Sequence, residues 1–294
     1  MNLALNGLPN SVAELAHAYI IEGKDNVKRR QQAELLGKIL LCQSLSQDSD
    51  LAQSEPCGSC HSCHLFEANS HPDFLISDPE QNSIGVDEIR NTSLFLTKMS
   101  QLSGAQVVIL DKANSMTESA SNALLKTLEE PTNKSFLLLL VDNKSQLMPT
   151  ILSRCQFINV EQPNKQQLKQ KYSDLPDYII GFGQFSESDI QHWISSGKID
   201  VFEQNYQNFI SWLKRQKSTT DFASEVVKDE ELQSFILYLL QRRVRQLMLK
   251  HANSKVLSAE QALNQFHKLK QTITGLNSPL AFHSLLVQLT DQVR

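Results

Sequence analysis

The sequence lacks a hydrophobic run long enough to cross a membrane, and it lacks a large excess of charge of either sign. Its longest apolar run, at residues 135–141, is far shorter than the ~20 residues of a membrane-spanning helix. No basic segment followed by an apolar one opens the chain. A formal net charge of -4 gives no general attraction to phosphate. We therefore expect a soluble, cytoplasmic protein with no membrane contact.

The order of the apolar segments predicts an α/β domain at the start of the chain. Short, continuously apolar segments alternate with helical patterns up to about residue 160, which is typical of a parallel sheet covered on both faces. Helices are predicted at residues 86–99 and 119–130. The predicted strands are residues 18–21, 73–77, 106–111, 136–141 and 156–160.

The remainder of the chain is predicted to be helical. The length of 294 residues suits two or three domains at roughly 100–200 residues each. We predict an α/β domain over residues 1–160, a small helical domain over 161–200 and a helical bundle over 201–294.

Four of the five cysteines lie close together in the sequence. Cys57, Cys60 and Cys63 are spaced by two residues, and Cys42 lies upstream. Without an export signal, such a cluster indicates a metal site and not disulfides. Four thiolates match a closed tetrahedral zinc site, which is structural because no position remains for water. We predict a zinc module over about 42–63, with Cys42 at a helix terminus and the other three ligands in a loop.

Two alternatives to this zinc site remain open. The cysteines can be reduced thiols, or one of His61, His64 and His71 can replace a cysteine as a ligand. The fifth cysteine, Cys155, lies far away in the sequence and is interpreted as an ordinary buried thiol.

Several motifs together resemble those of the bacterial clamp-loader ATPase family. They are His17-Ala-Tyr, the cysteine motif at 57–63, His-Pro-Asp at 71–73, Val-Val-Ile-Leu-Asp at 107–111, Asn-Ala-Leu-Leu-Lys-Thr-Leu-Glu-Glu-Pro at 122–131 and Ile-Leu-Ser-Arg-Cys at 151–155. The resemblance implies an AAA+ nucleotide fold, with a helical lid at 161–200 and a C-terminal oligomerisation domain, the collar, at 201–294.

The turn after the first strand departs from the phosphate-binding pattern of that family. A P-loop needs G-x-x-x-x-G-K-[ST], so that backbone N–H groups, a lysine and a hydroxyl surround the phosphates and Mg²⁺. Gly23 is retained, but Lys28 replaces the last glycine, Arg29 the lysine and Arg30 the Ser/Thr. Side chains on Asn26 and Lys28 would obstruct the backbone. ATP is therefore not expected as a cofactor.

Two further positions agree with this degenerate P-loop. Asp111 remains at a strand end, but Lys112 follows where an active enzyme of the family carries Glu. Leu140 and Val141 stand where the ATPases place polar threonines. We predict a non-catalytic subunit that neither hydrolyses nor binds ATP. The alternative is an active ATPase of the gamma/tau type.

The basic run at residues 28–30 is interpreted as a solvated helix start. Like charges beside the positive end of a helix dipole are unfavourable by a few tenths of a kcal/mol each, so we expect an acidic neighbour or plain solvation. The alternative is a remnant phosphate contact.

Ser153-Arg154-Cys155 resembles the arginine-finger motif of the same family. The resemblance implies that Arg154 acts in trans, stabilising charge on the γ-phosphate held by a neighbouring ATPase subunit. The alternative is a surface arginine in a salt bridge.

The resemblance also implies the partners. These are the gamma/tau and delta subunits in a hetero-pentamer, and indirectly a sliding clamp and primed DNA. The subunit would belong to a DNA-directed DNA polymerase holoenzyme, a nucleotidyltransferase, without polymerase chemistry of its own. A zinc-containing DNA-binding protein is the second alternative, and the acidic balance argues against it.

Overall fold

In a computed structural model of the chain, two compact units are distinguished: residues 1–164 with 185–188, and residues 165–184 with 189–294. The predicted division of the helical part at residue 200 stays a prediction. The structure describes residues 5–46, 49–51, 53–77, 83–102, 104–132, 134–183, 186–227, 229–250, 253–272 and 278–293.

The first unit contains a six-stranded sheet with the order β1-β6-β2-β5-β4-β3. Neighbouring strands are parallel except for β1 and β6, which are antiparallel. The predicted parallel α/β sheet is confirmed, whereas the short edge strand β1 was not predicted. The strands are β1 (Leu5–Asn6), β2 (Ala18–Glu22), β3 (Phe74–Ser77), β4 (Gln106–Leu110), β5 (Ser135–Val141) and β6 (Gln156–Val160).

Helices cover both faces of this sheet. The predicted helices at 86–99 and 119–130 begin and end within two residues of the observed ones. Asp25 and Thr117 cap two of them by accepting hydrogen bonds from backbone N–H groups of the first turn. The helices of this unit are α1 (Asn26–Leu40), α2 (His61–Glu67), α3 (Val86–Thr97), α4 (Glu118–Glu129) and α5 (Pro149–Leu152).

Alternate residues of the central strands fill two separate cores. On one face Ile20 and Leu139 belong to a cluster with Leu124 of α4, and on the other Ile21 and Leu138 pack in a cluster that includes residues of α1. All of these side chains are fully buried. Burial on both faces is the reason that the strands appear in the sequence as continuous apolar runs.

The second unit is helical in its described residues. Aromatic side chains dominate its core: Phe182, Trp193, Phe202 and Phe235 contact one another. None of the helices that the structure describes is long and apolar enough to span a membrane. The first two residues of α8 belong to the first unit. The helices are α6 (Lys165–Lys171), α7 (Asp177–Phe182), α8 (Glu187–Ser195), α9 (Lys198–Leu213), α10 (Thr219–Val226), α11 (Glu230–Lys250), α12 (Ser254–Thr272) and α13 (Ser278–Val293).

Candidate functional site

The four clustered cysteines lie together just beyond the C-terminal end of α1. Their Sγ atoms all lie within 4.8 Å of one another. Cys42 follows the end of α1, as predicted. Cys60 and Cys63 were predicted in a loop, but Cys60 caps α2 by accepting a hydrogen bond from the Cys63 backbone N–H, and Cys63 lies in the first turn. The helix start fixes the spacing of these two ligands.

This geometry fits a tetrahedral metal ion. Zn–S bonds of about 2.3 Å place the sulfurs of a tetrahedron roughly 3.8 Å apart, which four Sγ atoms within 4.8 Å can meet. The group contains the four cysteines and no histidine among the described residues. The cluster can therefore hold a metal ion through Cys42, Cys57, Cys60 and Cys63.

Hydrogen bonds to sulfur favour thiolates at the exposed side of the cluster. The Ser44 side chain and nearby backbone groups lower the pKa of Cys57 to about 5. Burial raises the pKa of Cys63 to about 12. A cation among the sulfurs would favour the thiolate form of every ligand, because metal binding displaces the thiol proton.

A buried chain of hydrogen bonds connects Leu41, which precedes Cys42, with Ser62, which precedes Cys63. The backbone N–H of Asp73 lies 3.1 Å from His71 Nδ1, and His71 Nε2 lies 2.7 Å from Ser62 Oγ. Ser62 Oγ donates in turn to the Leu41 carbonyl at 2.5 Å. Burial lowers the pKa of His71 below its ordinary value and so favours the neutral ring. Both ring nitrogens are engaged, so His71 supports the cluster and is not one of its ligands.

At the other end of α1, the basic run is not a solvated helix start. Arg29 is 1% exposed. Its Nη1 donates to the Gly23 carbonyl and, at 2.5 Å, to Asp142 Oδ1, while Nη2 lies 3.9 Å from Asp111 Oδ1. The interpretation as solvated residues is wrong for Arg29, because two strand-end carboxylates draw its side chain inward.

The neighbouring basic residues have partners as well. Arg30 Nε lies 3.0 Å from Glu34 Oε1, and Arg30 Nη1 lies 3.3 Å from Asp111 Oδ2. The Lys28 Nζ atom donates to the Glu161 carbonyl at 2.6 Å. The acidic neighbours expected for this run are thus present.

Four backbone N–H groups around the turn already have acceptors. Asp25 Oδ1 accepts from the Lys28 N–H at 2.9 Å. With its amide oxygen turned toward the loop, Gln162 accepts from the N–H groups of Lys24 at 2.5 Å and Asp25 at 3.2 Å. The Gly23 N–H donates to the Val141 carbonyl at 3.2 Å. These are groups of the kind that a P-loop turns toward phosphate.

The residues around the turn do not fit a magnesium nucleotide. Asp111 follows β4, but its Oδ1 accepts from the Lys112 N–H at 2.8 Å and its carboxylate faces two arginines. Leu140 and Val141 are fully buried apolar residues and supply no hydroxyl. The Mg²⁺ and phosphate that the fold family implies would meet the Arg29 guanidinium and side chains at Asn26 and Lys28.

Arg154 lies just beyond α5 on the surface of the first unit. Its side chain is 35% exposed, and its Nη2 and Nε atoms donate to Glu129 Oε1 at 2.7 and 3.1 Å. Its Nη1 donates to the Thr150 carbonyl at 3.0 Å. The guanidinium therefore has a fixed position near the surface, in an ion pair of the kind that the alternative interpretation describes.

Sequence reasoning missed three residues that shape the turn. Asp25 had a local signal, since an aspartate immediately before a helix is a common N-cap. Asp142 directly follows a predicted strand, whereas nothing near Gln162 in the sequence points to its contact with the turn.

The fold and the degenerate turn define an AAA+ type nucleotide-fold domain with a four-cysteine module. Residues 6–164 match the family model described as DNA polymerase III, delta subunit. The DNA polymerase III subunit delta' of Pseudomonas aeruginosa is 41% identical over 145 residues, 49% of this chain and 42% of that protein. Its namesake in Escherichia coli is 34% identical over 152 residues, 51% of this chain and 44% of that protein.

The chain belongs to the family of DNA polymerase III delta-prime subunits, and the resemblance to clamp-loader proteins is confirmed. It spans less than half the length of the relatives just named. A gamma subunit-related protein of DNA polymerase III from Thermotoga maritima shares the fold, with a TM-score of 0.50 and 20% identity over 96% of this chain and 97% of that one.

Proposed function

We propose that the chain is a non-catalytic subunit of the clamp loader, supporting ATP-dependent loading of the sliding clamp on primed DNA. The family match over residues 6–164 carries this proposal. The occupied donors of the turn favour it over an active gamma/tau-type ATPase, and the net charge of -4 disfavours a DNA-binding protein. The subunit would work in the cytoplasm, within the polymerase holoenzyme.

Its direct partners would be the gamma/tau and delta subunits of a hetero-pentamer, with residues 201–294 as the collar that joins them. The test is reconstitution with purified gamma/tau and delta. We expect a complex that loads clamps on primed DNA in the presence of this chain and fails to do so without it. Equal loading without the chain would contradict the proposal.

Within that complex, Arg154 would supply the arginine finger to the neighbouring ATPase subunit. A finger that stabilises charge on the transferring phosphoryl group contributes ~10³–10⁵ in rate in GTPases. Exposure of the guanidinium and its position after the short helix α5 support this role. The ion pair with Glu129 would hold the side chain until the partner's phosphate attracts it.

The finger is tested by Arg154→Ala in the reconstituted complex. We expect a large loss of ATP hydrolysis and of clamp loading, with complex assembly unchanged. Arg90→Ala is the matched control, since Arg90 is also an arginine of the first unit in an exposed ion pair, with Asp87. Unchanged rates with Arg154→Ala would remove the finger assignment.

We further propose that the ion in the cysteine cluster is zinc with a structural role. Four cysteine ligands leave no open position for a reacting water. Held by Cys42 after α1 and by the three cysteines around α2, the ion would fix the start of α2 against the end of α1.

A further inference from the structure

We propose that the phosphate-binding turn contains its own ions: the Asp25 carboxylate takes the place of a phosphate at the start of α1, and the Arg29 guanidinium takes the place of the accompanying cation. The inference deepens the proposed non-catalytic role and rests on it for the premise that no nucleotide enters the turn. Its consequence is a first unit that needs neither nucleotide nor magnesium to be stable.

The anion of the turn is a side chain. The first N–H groups of a helix and the helix dipole attract negative charge, which in P-loop proteins is phosphate. Here Asp25 is 2% exposed and accepts from the Lys28 N–H at 2.9 Å, the Ser188 N–H at 3.0 Å and Ser188 Oγ at 2.5 Å. Burial opposes ionisation, but these hydrogen bonds outweigh it and hold the pKa of Asp25 below its ordinary value.

The cation of the turn is also a side chain. The Arg29 guanidinium lies among the Gly23 carbonyl, Asp142 and Asp111. Its Nε atom is buried and has no hydrogen-bond partner in the part of the chain that the structure describes. Incompletely paired burial of a guanidinium is costly. Hydrogen bonding alone therefore does not explain why Arg29 is buried. Its positive charge, placed beside the Asp111 and Asp142 carboxylates, does.

Loss of the Arg29 side chain should uncover a site for a divalent cation. The space left would be bordered by the Asp111 and Asp142 carboxylates and the Gly23 carbonyl, all of them oxygen groups now in contact with the guanidinium. Hard cations such as Mg²⁺ prefer such oxygen ligands. An Arg29→Ala chain should therefore respond to magnesium, and the unmodified chain should not.

The experiment is thermal unfolding of the full chain with MgCl₂ or with NaCl of the same ionic strength. Arg29→Ala should lower Tm by about 5 °C or more without magnesium, since it leaves Asp142 without its arginine and Asp111 with Arg30 as its remaining arginine. Magnesium should restore part of that loss. Arg29→Ala combined with Asp111→Asn should show no magnesium response, because one ligand is gone.

Arg30→Ala is the matched control. Arg30 is the next residue and also faces Asp111, but a third of its side chain is exposed. Its replacement should lower Tm less and create no magnesium response. A Tm for Arg29→Ala equal to that of the unmodified chain, or a magnesium response that survives Asp111→Asn, would overturn the inference.

Asp142→Asn covers the case in which Arg29→Ala does not fold. It keeps Arg29 but removes the charge of its closest carboxylate, which is 55% exposed, so Tm should fall by a few degrees. An unchanged Tm would count against the inference. Binding of magnesium ATP by the unmodified chain would instead overturn the proposed function, which keeps the two failures distinct.

Discussion

The two ends of helix α1 carry opposite arrangements of charge. Just beyond its C-terminal end, the Sγ atoms of four cysteines lie within 4.8 Å of one another. At its N-terminal end, Asp25 caps the helix and Arg29 neutralises Asp111 and Asp142. One end can hold an ion from solution, whereas at the other end the charges of the turn are paired within the chain. Of two sites in the same domain, one can thus respond to metal ions in solution, whereas the other is expected not to.

The largest expected effect is loss of the metal. The unmodified chain should contain about one equivalent of zinc, and Cys63→Ser should lose it. Because binding free energy at a structural site is folding free energy, stability should fall by about 3 kcal/mol or more. Elemental analysis and urea unfolding measure the two quantities. Cys155→Ala is the control, since Cys155 is buried but outside the group. Full stability of a metal-free chain would contradict the structural role.

A medium effect is expected from the helix cap at the opposite end. Asp25→Ala should cost about 1–2 kcal/mol, because it leaves the Lys28 N–H in the first turn of α1 without its acceptor. Asp87→Ala, at an exposed position in the first turn of α3, should cost far less. Urea unfolding near pH 7 measures both, and equal costs would show that Asp25 is an ordinary surface acid.

The same residue predicts a pH dependence. Since folding lowers the pKa of Asp25, its contribution is present above the unfolded pKa, about 4, and is lost as pH falls through the folded pKa. The stability difference between the unmodified chain and Asp25→Ala should therefore shrink below about pH 4. A difference that grows on acidification would contradict the assignment.

A smaller effect is expected from the chain of hydrogen bonds beside the cysteines. Ser62→Ala leaves the Leu41 carbonyl and one His71 ring nitrogen without their partner and should cost about 1 kcal/mol. Metal affinity should fall about tenfold, because such groups orient the ligands. Competition with a zinc chelator measures this, and Ser70→Ala, which replaces an exposed serine just after α2, is the control. Equal metal affinity of the two variants would show that these hydrogen bonds do not support metal binding.

The smallest effect on stability is expected at Arg154. Its ion pair with Glu129 is exposed, and such pairs contribute about 0–1 kcal/mol. Arg154→Ala should therefore unfold within about 3 °C of the unmodified chain. With Tm unchanged, a loss of clamp loading can be assigned to ATP hydrolysis in the neighbouring subunit. A larger shift in Tm would instead point to a structural role for Arg154.

Local sequence patterns predicted the five parallel strands of the sheet but not strand β1 or helix α2. The parallel strands are buried on both faces, so residues such as 106–110 stand out as apolar runs. Strand β1 has two residues and no pattern to detect. Helix α2 is short and polar, and it starts where Cys60 accepts a backbone hydrogen bond beside the other cysteines. With only seven residues, this helix has no apolar helical repeat for the sequence pattern to show.

The two candidate sites also differ in how far the sequence alone predicts them. Cysteine spacing predicted the metal ligands because three of the four lie within seven residues. The burial of Arg29 could not be predicted, because its partners Asp111 and Asp142 lie more than 80 residues away and come together only when β4 and β5 pair. Charged residues are rarely buried unless paired, so a basic run without its partners is interpreted as surface.

Equilibrium binding of magnesium ATP to the unmodified chain tests the central claim most directly. Because Asp25 and Arg29 already fill the turn, titration calorimetry should give no saturable binding up to about 1 mM nucleotide. The same preparation should retain its zinc throughout. Saturable binding at micromolar nucleotide would contradict the account, since the two side chains would then not occupy the place of phosphate and cation.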